Sequence, residues 1–195
     1  VFGCNGLIDH NTLAAPDNSE MIHNFGAGQA GWTANVTPGS AEALYVEDNT
    51  FTNNGSGNAN SSLQAYDGAR TVARHNTLNH SQFDQHGGVN IGARWFEFYE
   101  NTFSNSAGSN AIDKYFDLRA GSGLVFNNHE TVASNAGITL REEDTGTWPL
   151  AYQIGSGYNG GNNGHASCNG GTENQSPLYI WGNDAGIDVG SNSVN

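Results

Sequence analysis

A chain of 195 residues is long enough for one domain with its own core, and it reads as a single unit over 1–195. Six basic residues against nineteen acidic ones give a formal charge of −13, which disfavours nucleic acid, because neutralising phosphates takes clustered Lys and Arg. A polyanionic sugar would also be repelled unless bound cations bridged the two, whereas divalent cations, neutral glycans and cationic surfaces stay open. No stretch reaches the roughly 18 apolar residues of a membrane helix, so no membrane partner is expected.

Along the chain the apolar runs are short, rich in β-branched and aromatic residues, and separated by Gly, Asn, Asp and Ser. Helix-period patterns of useful length are missing, which predicts an all-β fold. The first run is "LIDHNTL" (Leu7–Leu13), followed by an insertion over Ala14–Ala43 that contains "SEMIHNFG". There Glu20 and His23 are spaced to share one face of a helical turn, with Ser19 as its N-cap. Then come "VEDNTF" (Val46–Phe51), "SLQAYDGAR", "VARHNTL" (Val72–Leu78), "SQFDQHGG" (Ser81–Gly88), "GVNIGAR", "EFYENTF" (Glu97–Phe103), "YFDLRAGSG", "LVFNNHETV", "ITLREEDTG" and, after a Gly/Asn-rich insertion over Thr145–Ser176, "YIWGNDAG".

The Asn residues of these runs, Asn11, Asn49, Asn76, Asn101, Asn128 and Asn183, are spaced by 38, 27, 25, 27 and 55 residues. A repeat of this length without helical pattern fits three short strands and their turns, one coil of a parallel β-helix. The expected fold is a right-handed parallel β-helix of about six or seven coils. Two residues after the first four markers stand Leu13, Phe51, Leu78 and Phe103, and three before the first five stand Ile8, Val46, Ala73, Phe98 and Val125. Rungs lie about 4.8 Å apart, so each set should form an inward column. Asn at the bend is expected to adopt left-handed φ while its amide bonds its own backbone and the Asn of the next rung.

Several constellations carry candidate chemistry. Asp84 and His86 stand at i and i+2 of an extended segment, so an Asp can orient a His as base or ligand, and a plain turn is the competing reading. Ser81 completes a triad only on paper. Arg94 and Arg119 adjoin the Gly turns, where stacked rungs would let them share one groove and grip a carboxylate. "REEDTG" puts Glu142 and Asp144 on one side, a pair suited to Ca²⁺ or, at about 5–9 Å, to glycoside hydrolysis. The columns Asp9, Glu47, Arg74, Tyr99 and His10, Asp48, His75, Glu100 face outward beside Tyr66, Asp67, Trp95 and Trp32, which suits an elongated sugar-binding face as well as it suits plain solvent. Cys4 and Cys168 can pair only if their Cα atoms come within about 7 Å, which spacing leaves open.

The repeated rung V-x-x-N-N/T-F, from Gly6 to about Asn183, resembles right-handed parallel β-helix proteins of the pectate-lyase-like superfamily. The closest overall likeness is to uncharacterised secreted bacterial β-helix proteins, which implies a secreted or cell-surface location. "LRAGSGLVFNNHE" and "YDGARTVARHNTL" are similar to rungs of the chondroitinase-B and alginate lyase family. That likeness implies a Lys base and an Arg acid on neighbouring rungs, with Ca²⁺ neutralising a uronate carboxylate. Arg119 matches the Arg, Ala120 replaces the His beside it, and Tyr66 or Asp67 stands where Lys is expected. No signal peptide is visible and Val1 opens almost directly onto the first repeat, so the chain reads as a mature product or an excised portion. Two functions follow as expectations. One is a glycan-binding or glycan-processing protein acting on a polysaccharide, a lyase or glycoside hydrolase if catalytic. The other is a structural or adhesive solenoid whose uncapped ends associate end to end.

Overall fold

The computed structural model describes residues 5–16, 20–55, 61–87, 91–105, 112, 114–131, 136–141, 154–155 and 176–187. The chain coils through three strands per turn. The first coil has β1 (Gly6–Asp9), β2 (Thr12–Ala15) and β3 (Ile22–Phe25), followed by a short helix α1 (Gln29–Thr33). The second has β4 (Leu44–Glu47), β5 (Thr50–Asn53) and β6 (Ser61–Tyr66), and the third β7 (Arg70–Arg74), β8 (Thr77–Asn79) and β9 (Gln82–Gln85). The fourth has β10 (Trp95–Tyr99), β11 (Thr102–Ser104) and β12 (Lys114–Leu118). The fifth has β13 (Ser122–Phe126), β14 (His129–Glu130) and β15 (Ala136–Leu140), and β16 (Tyr179–Trp181) opens a sixth.

Like strands stack into three parallel sheets, with orders β1-β4-β7-β10-β13-β16, β2-β5-β8-β11-β14 and β3-β6-β9-β12-β15. The architecture is a parallel β-helix. Its register is the one read from the Asn spacing: Leu13 lies on Phe51, Phe51 on Leu78 and Leu78 on Phe103. Ile8, Val46, Ala73, Phe98 and Val125 form the second file. Both files feed one core with Leu63, Phe83, Phe116 and Leu118 from the third sheet. Inside it Phe83 meets Phe98 at 5.1 Å and Phe103 meets Phe116 edge-on at 5.0 Å, so the coil interior is filled by interlocking rings.

The bend between the first and second sheets differs from expectation in one respect. The Asn residues do not take left-handed φ. The residue before each does: His10, Asp48, His75, Glu100 and Asn127 have φ of 52–55°, and Gly182 has 65°. The left-handed residue turns its side chain out, and that turns the following Asn inward, where Asn49, Asn76, Asn101 and Asn128 are buried. Each buried amide then does what the bend needs. The backbone N–H of Asn76 donates to Asn101 Oδ1 at 3.1 Å, Asn76 Nδ2 donates to the same atom at 3.0 Å, and this pattern repeats from Asn11 to Asn183. The free Nδ2 hydrogen reaches a carbonyl of the rung before, as from Asn76 to Val46 at 2.8 Å.

Three further expectations are corrected. The first insertion is shorter than 14–43, because β2 ends and β3 lies within it, leaving residues 26–43 outside the coil. "SEMIHNFG" is no helical turn: Ile22–Phe25 is a strand, although His23 does pair with Glu20. The third-sheet strand of its rung is Gln82–Gln85 rather than "GVNIGAR", whose described part, Ile91–Arg94, is a loop.

Candidate functional site

On the third sheet, alternate residues point inward and outward. Leu63, Phe83 and Phe116 enter the core, so Gln64, Asp84 and Asp117, paired across β6, β9 and β12, form an outward file. A second outward file runs one step on, from Phe25 through Tyr66 to His86, with Arg119 and Arg141 closing it beyond β12 and β15. Within the sequence motif "SQFDQHGG", Gln82–Gln85 is a strand, and Asp84 and, just past its end, His86 project from the same side.

The Asp84 file is a buried ionic lattice. Arg119 grips Asp84 with Nε at 3.1 Å and Nη2 at 2.5 Å, the fork geometry a carboxylate accepts best. Asp117 accepts from Lys114 at 3.2 Å and from Arg141 at 3.0 Å, with Arg119 Nε a further 3.8 Å away. Gln64 Nε2 donates to Asp84 at 3.4 Å and its Oε1 accepts the Tyr66 hydroxyl, tying the lattice to the ring file. The ring file is more open. Phe25 stacks on Tyr66 at 5.1 Å and Tyr66 on His86 at 4.5 Å, with Phe25 exposed and the other two half-buried. Three of the chain's six basic side chains, Lys114, Arg119 and Arg141, thus meet around two carboxylates on one face of a strongly acidic protein.

The remaining predicted residues lie elsewhere. Arg74, Trp95 and Tyr99 project from the outer face of the first sheet. Arg74 is held charged by Glu47 and donates to the Tyr99 hydroxyl at 2.8 Å, while Trp95 Nε1 donates to Glu97 at 3.0 Å. Asp67 sits at the corner turn after β6 with φ of 51°. Arg94 does not share a groove with Arg119. It is buried at the corner before β10, where Nε donates to the Trp32 carbonyl at 3.0 Å and the guanidinium lies 5.5 Å from that indole. Ser81 is buried against the Ser62 hydroxyl. Glu142, Asp144, Cys4 and Cys168 lie outside the described residues.

Sequence reasoning missed Lys114, Asp117, Arg141 and Phe25; once the third-sheet register is known, Asp117 lies one rung from Asp84 and Phe25 one rung from Tyr66. It also stopped the outward file of the first sheet at Tyr99. The same offset from Asn128 and Asn183 gives Phe126 and Trp181, which stack on Tyr99 at 4.6 Å and on each other at 4.5 Å with planes 9° and 4° apart. Phe126 has both faces stacked, while Trp181, at the end of the described row, is exposed.

Among the described residues, the donors on the third-sheet face do not fit a Ca²⁺. Ca²⁺ needs six to eight oxygens, and both carboxylates there are already held by guanidinium and ammonium groups. Among the described residues, Asp9, His10 and Asp48 can bring three ligand atoms within 4.8 Å, all on exposed side chains at the first bend. No helix among the described residues is long and apolar enough to cross a membrane. Comparison with known proteins found no matching family model, no matching curated protein and no matching solved structure.

Proposed function

We propose that this is an extracellular protein of the pectate-lyase-like kind that binds or processes a polysaccharide, with the saccharide lying along Phe25, Tyr66, His86 and Arg119. The observation that supports it is the gathering of half the chain's basic side chains beside an open row of stacked rings. Exposed Phe25 gives an apolar platform for a pyranose ring. Lys114, Arg119 and Arg141 concentrate positive charge around Asp84 and Asp117, which favours a uronate carboxylate that the −13 charge of the whole chain would repel, while Glu20 beside the ring file is paired with His23.

If the protein is a lyase, the reaction is β-elimination. A base removes the proton α to the uronate carboxylate, the C4–O bond breaks as the C4=C5 double bond forms, and an acid protonates the departing oxygen. His86 and Tyr66, in ring contact, are the acid–base pair of this reading, and Arg119 and Arg141 offset the charge that develops on the carboxylate. The test is a depolymerisation and binding screen over neutral and uronate polysaccharides, with and without Ca²⁺, on the wild type and on His86→Ala and Tyr66→Phe. Loss of binding or cleavage in the variants with unchanged unfolding midpoints is expected. Full retention in both removes the site.

A second reading, a solenoid that associates end to end, is favoured by one observation. Among the described residues the exposed large hydrophobic side chains are Leu7 and Phe25 on the first described coil and Tyr179 and Trp181 on the last described strand. Concentration-dependent sedimentation, abolished by Leu7→Lys, would support it, and a monomer at all concentrations would end it.

A further inference from the structure

We propose a second site, independent of the third-sheet face: the cavity beneath α1 takes the oxyanion of a small ligand, a carboxylate, phosphate or sulfate, on the Arg70 guanidinium. The cavity has about 350 Å³, within the range of small-molecule sites. Its walls are Gly26, Ala27, Ala30, Gly31, Gly68 and Ala69, so it is narrow by backbone approach rather than by side chains. α1 is seated this closely because Gly68, with φ of 75°, has no Cβ: one added there would lie 2.6 Å from the Gly28 oxygen and 2.7 Å from the Trp32 nitrogen. The charged lining consists of Arg70 and Glu42, and Asn5 adds a polar group at the rim.

The electrostatics at this corner are out of balance. Arg70 is 9% exposed, and its carboxylate partner Glu42, at 2.6 Å, is 67% exposed. Behind α1, Arg94 is 4% exposed and its Nη1 has no hydrogen-bond partner. Burial, and then the charge of Arg70, push Arg94 down to about 10. Arg70 therefore has one exposed carboxylate as its partner, and the nearby buried Arg94, whose charge it feels, has no ion-pair partner among the described residues, in a chain that elsewhere has acid to spare. A buried charge without a counter-charge is costly, and an unsatisfied buried donor calls for an explanation such as an ion or water. An oxyanion on Arg70 supplies the missing charge. Glu42, on the solvent side, holds its place until the ligand displaces it, and the apolar Ala walls accept the ligand's carbon body.

The experiment is calorimetric titration of the full chain at low ionic strength with glucuronate, acetate, inorganic phosphate, sulfate and, as neutral control, glucose. Saturable binding of at least one anion and none of glucose is expected, and the order among the anions identifies the oxyanion class. Glu42→Gln removes the competing carboxylate from an exposed position and should tighten binding about two- to fivefold. Arg70→Gln should abolish it. No saturable anion binding in either the wild type or Glu42→Gln overturns the proposal, as does binding that survives Arg70→Gln. Tyr66→Phe and His86→Ala leave this binding unchanged, so the two sites fail or stand separately.

Discussion

Replacing Asn101 by Ala isolates what the bend amides contribute. In the folded protein Asn101 Oδ1 accepts the backbone N–H of Asn76 at 3.1 Å and its Nδ2 at 3.0 Å, while Asn101 Nδ2 donates to the Ala73 carbonyl at 2.9 Å. Asn101 and Asn76 are both essentially inaccessible to water. Removing the amide strands two buried backbone groups, the N–H of Asn76 and the C=O of Ala73, and takes a bond from the half-buried Tyr99 C=O, whereas Asn76 Nδ2 keeps Val46 and Asn128 Oδ1 keeps the Asn101 backbone N–H. Each buried orphan costs about 1–3 kcal/mol, so Asn101→Ala should destabilise by about 2–6 kcal/mol. Asn11→Ala provides the internal control: its side chain is exposed and only donates, to Asn49 and to Asp9, so no buried group is stranded and the loss should stay below about 1 kcal/mol. Urea unfolding of both variants measures the difference, and hydrogen exchange at the Asn76 amide locates it, with protection expected to fall in Asn101→Ala alone. Equal unfolding midpoints for the two variants would refute the reasoning that the amides act by satisfying buried backbone.

Three other outcomes are expected. Gly68→Ala should lower stability by about 2–5 kcal/mol, from left-handed strain plus the contacts with Gly28 and Trp32, and should raise the exchange rate of the Trp32 amide by loosening α1; an unchanged melting temperature contradicts the seating described for that helix. Gln85 is fully buried in the third sheet with neither amide atom partnered among the described residues, so Gln85→Met should stabilise by about 1–3 kcal/mol in urea unfolding, and a loss would show the amide to be satisfied in solution. Glu130 is raised above its ordinary range by burial and then by Asp184, so its ionisation weakens the fold as pH rises through the folded value. Asp184, lowered chiefly by the Glu130 backbone N–H, instead adds stability that disappears as pH falls. Glu130→Gln removes the first effect and keeps the second, so its advantage over the wild type should grow in thermal melts as pH rises above the ordinary Glu value of about 4.3 and be absent at the acid end.

The sequence by itself determined the coil and its register. Asn at a fixed offset between Phe51, Leu78 and Phe103 on one side and Val46, Ala73 and Phe98 on the other can be satisfied only if like residues stack, because each amide needs the next one and each ring needs a neighbour at rung distance. What the sequence left undecided was anything that depends on adjacency between rungs of unequal length. The offset of the third sheet is not announced by a repeated residue, so nothing in the sequence distinguishes "GVNIGAR" from the true strand Gln82–Gln85, and nothing shows that Arg119, one rung away, holds Asp84. The residue at left-handed φ was assigned to Asn from its intrinsic tolerance. Only the coil shows that the inward position had to be kept for the amide, which moved the strain one residue back to His10, Asp48, His75 and Glu100. Arg94 and Arg119 look equivalent in sequence, each following a short apolar run near a Gly turn. The helix packed on Gly68 separates them, burying one against Trp32 and leaving the other with Asp84, because ion pairing and burial are decided by three-dimensional neighbours that a linear pattern does not contain.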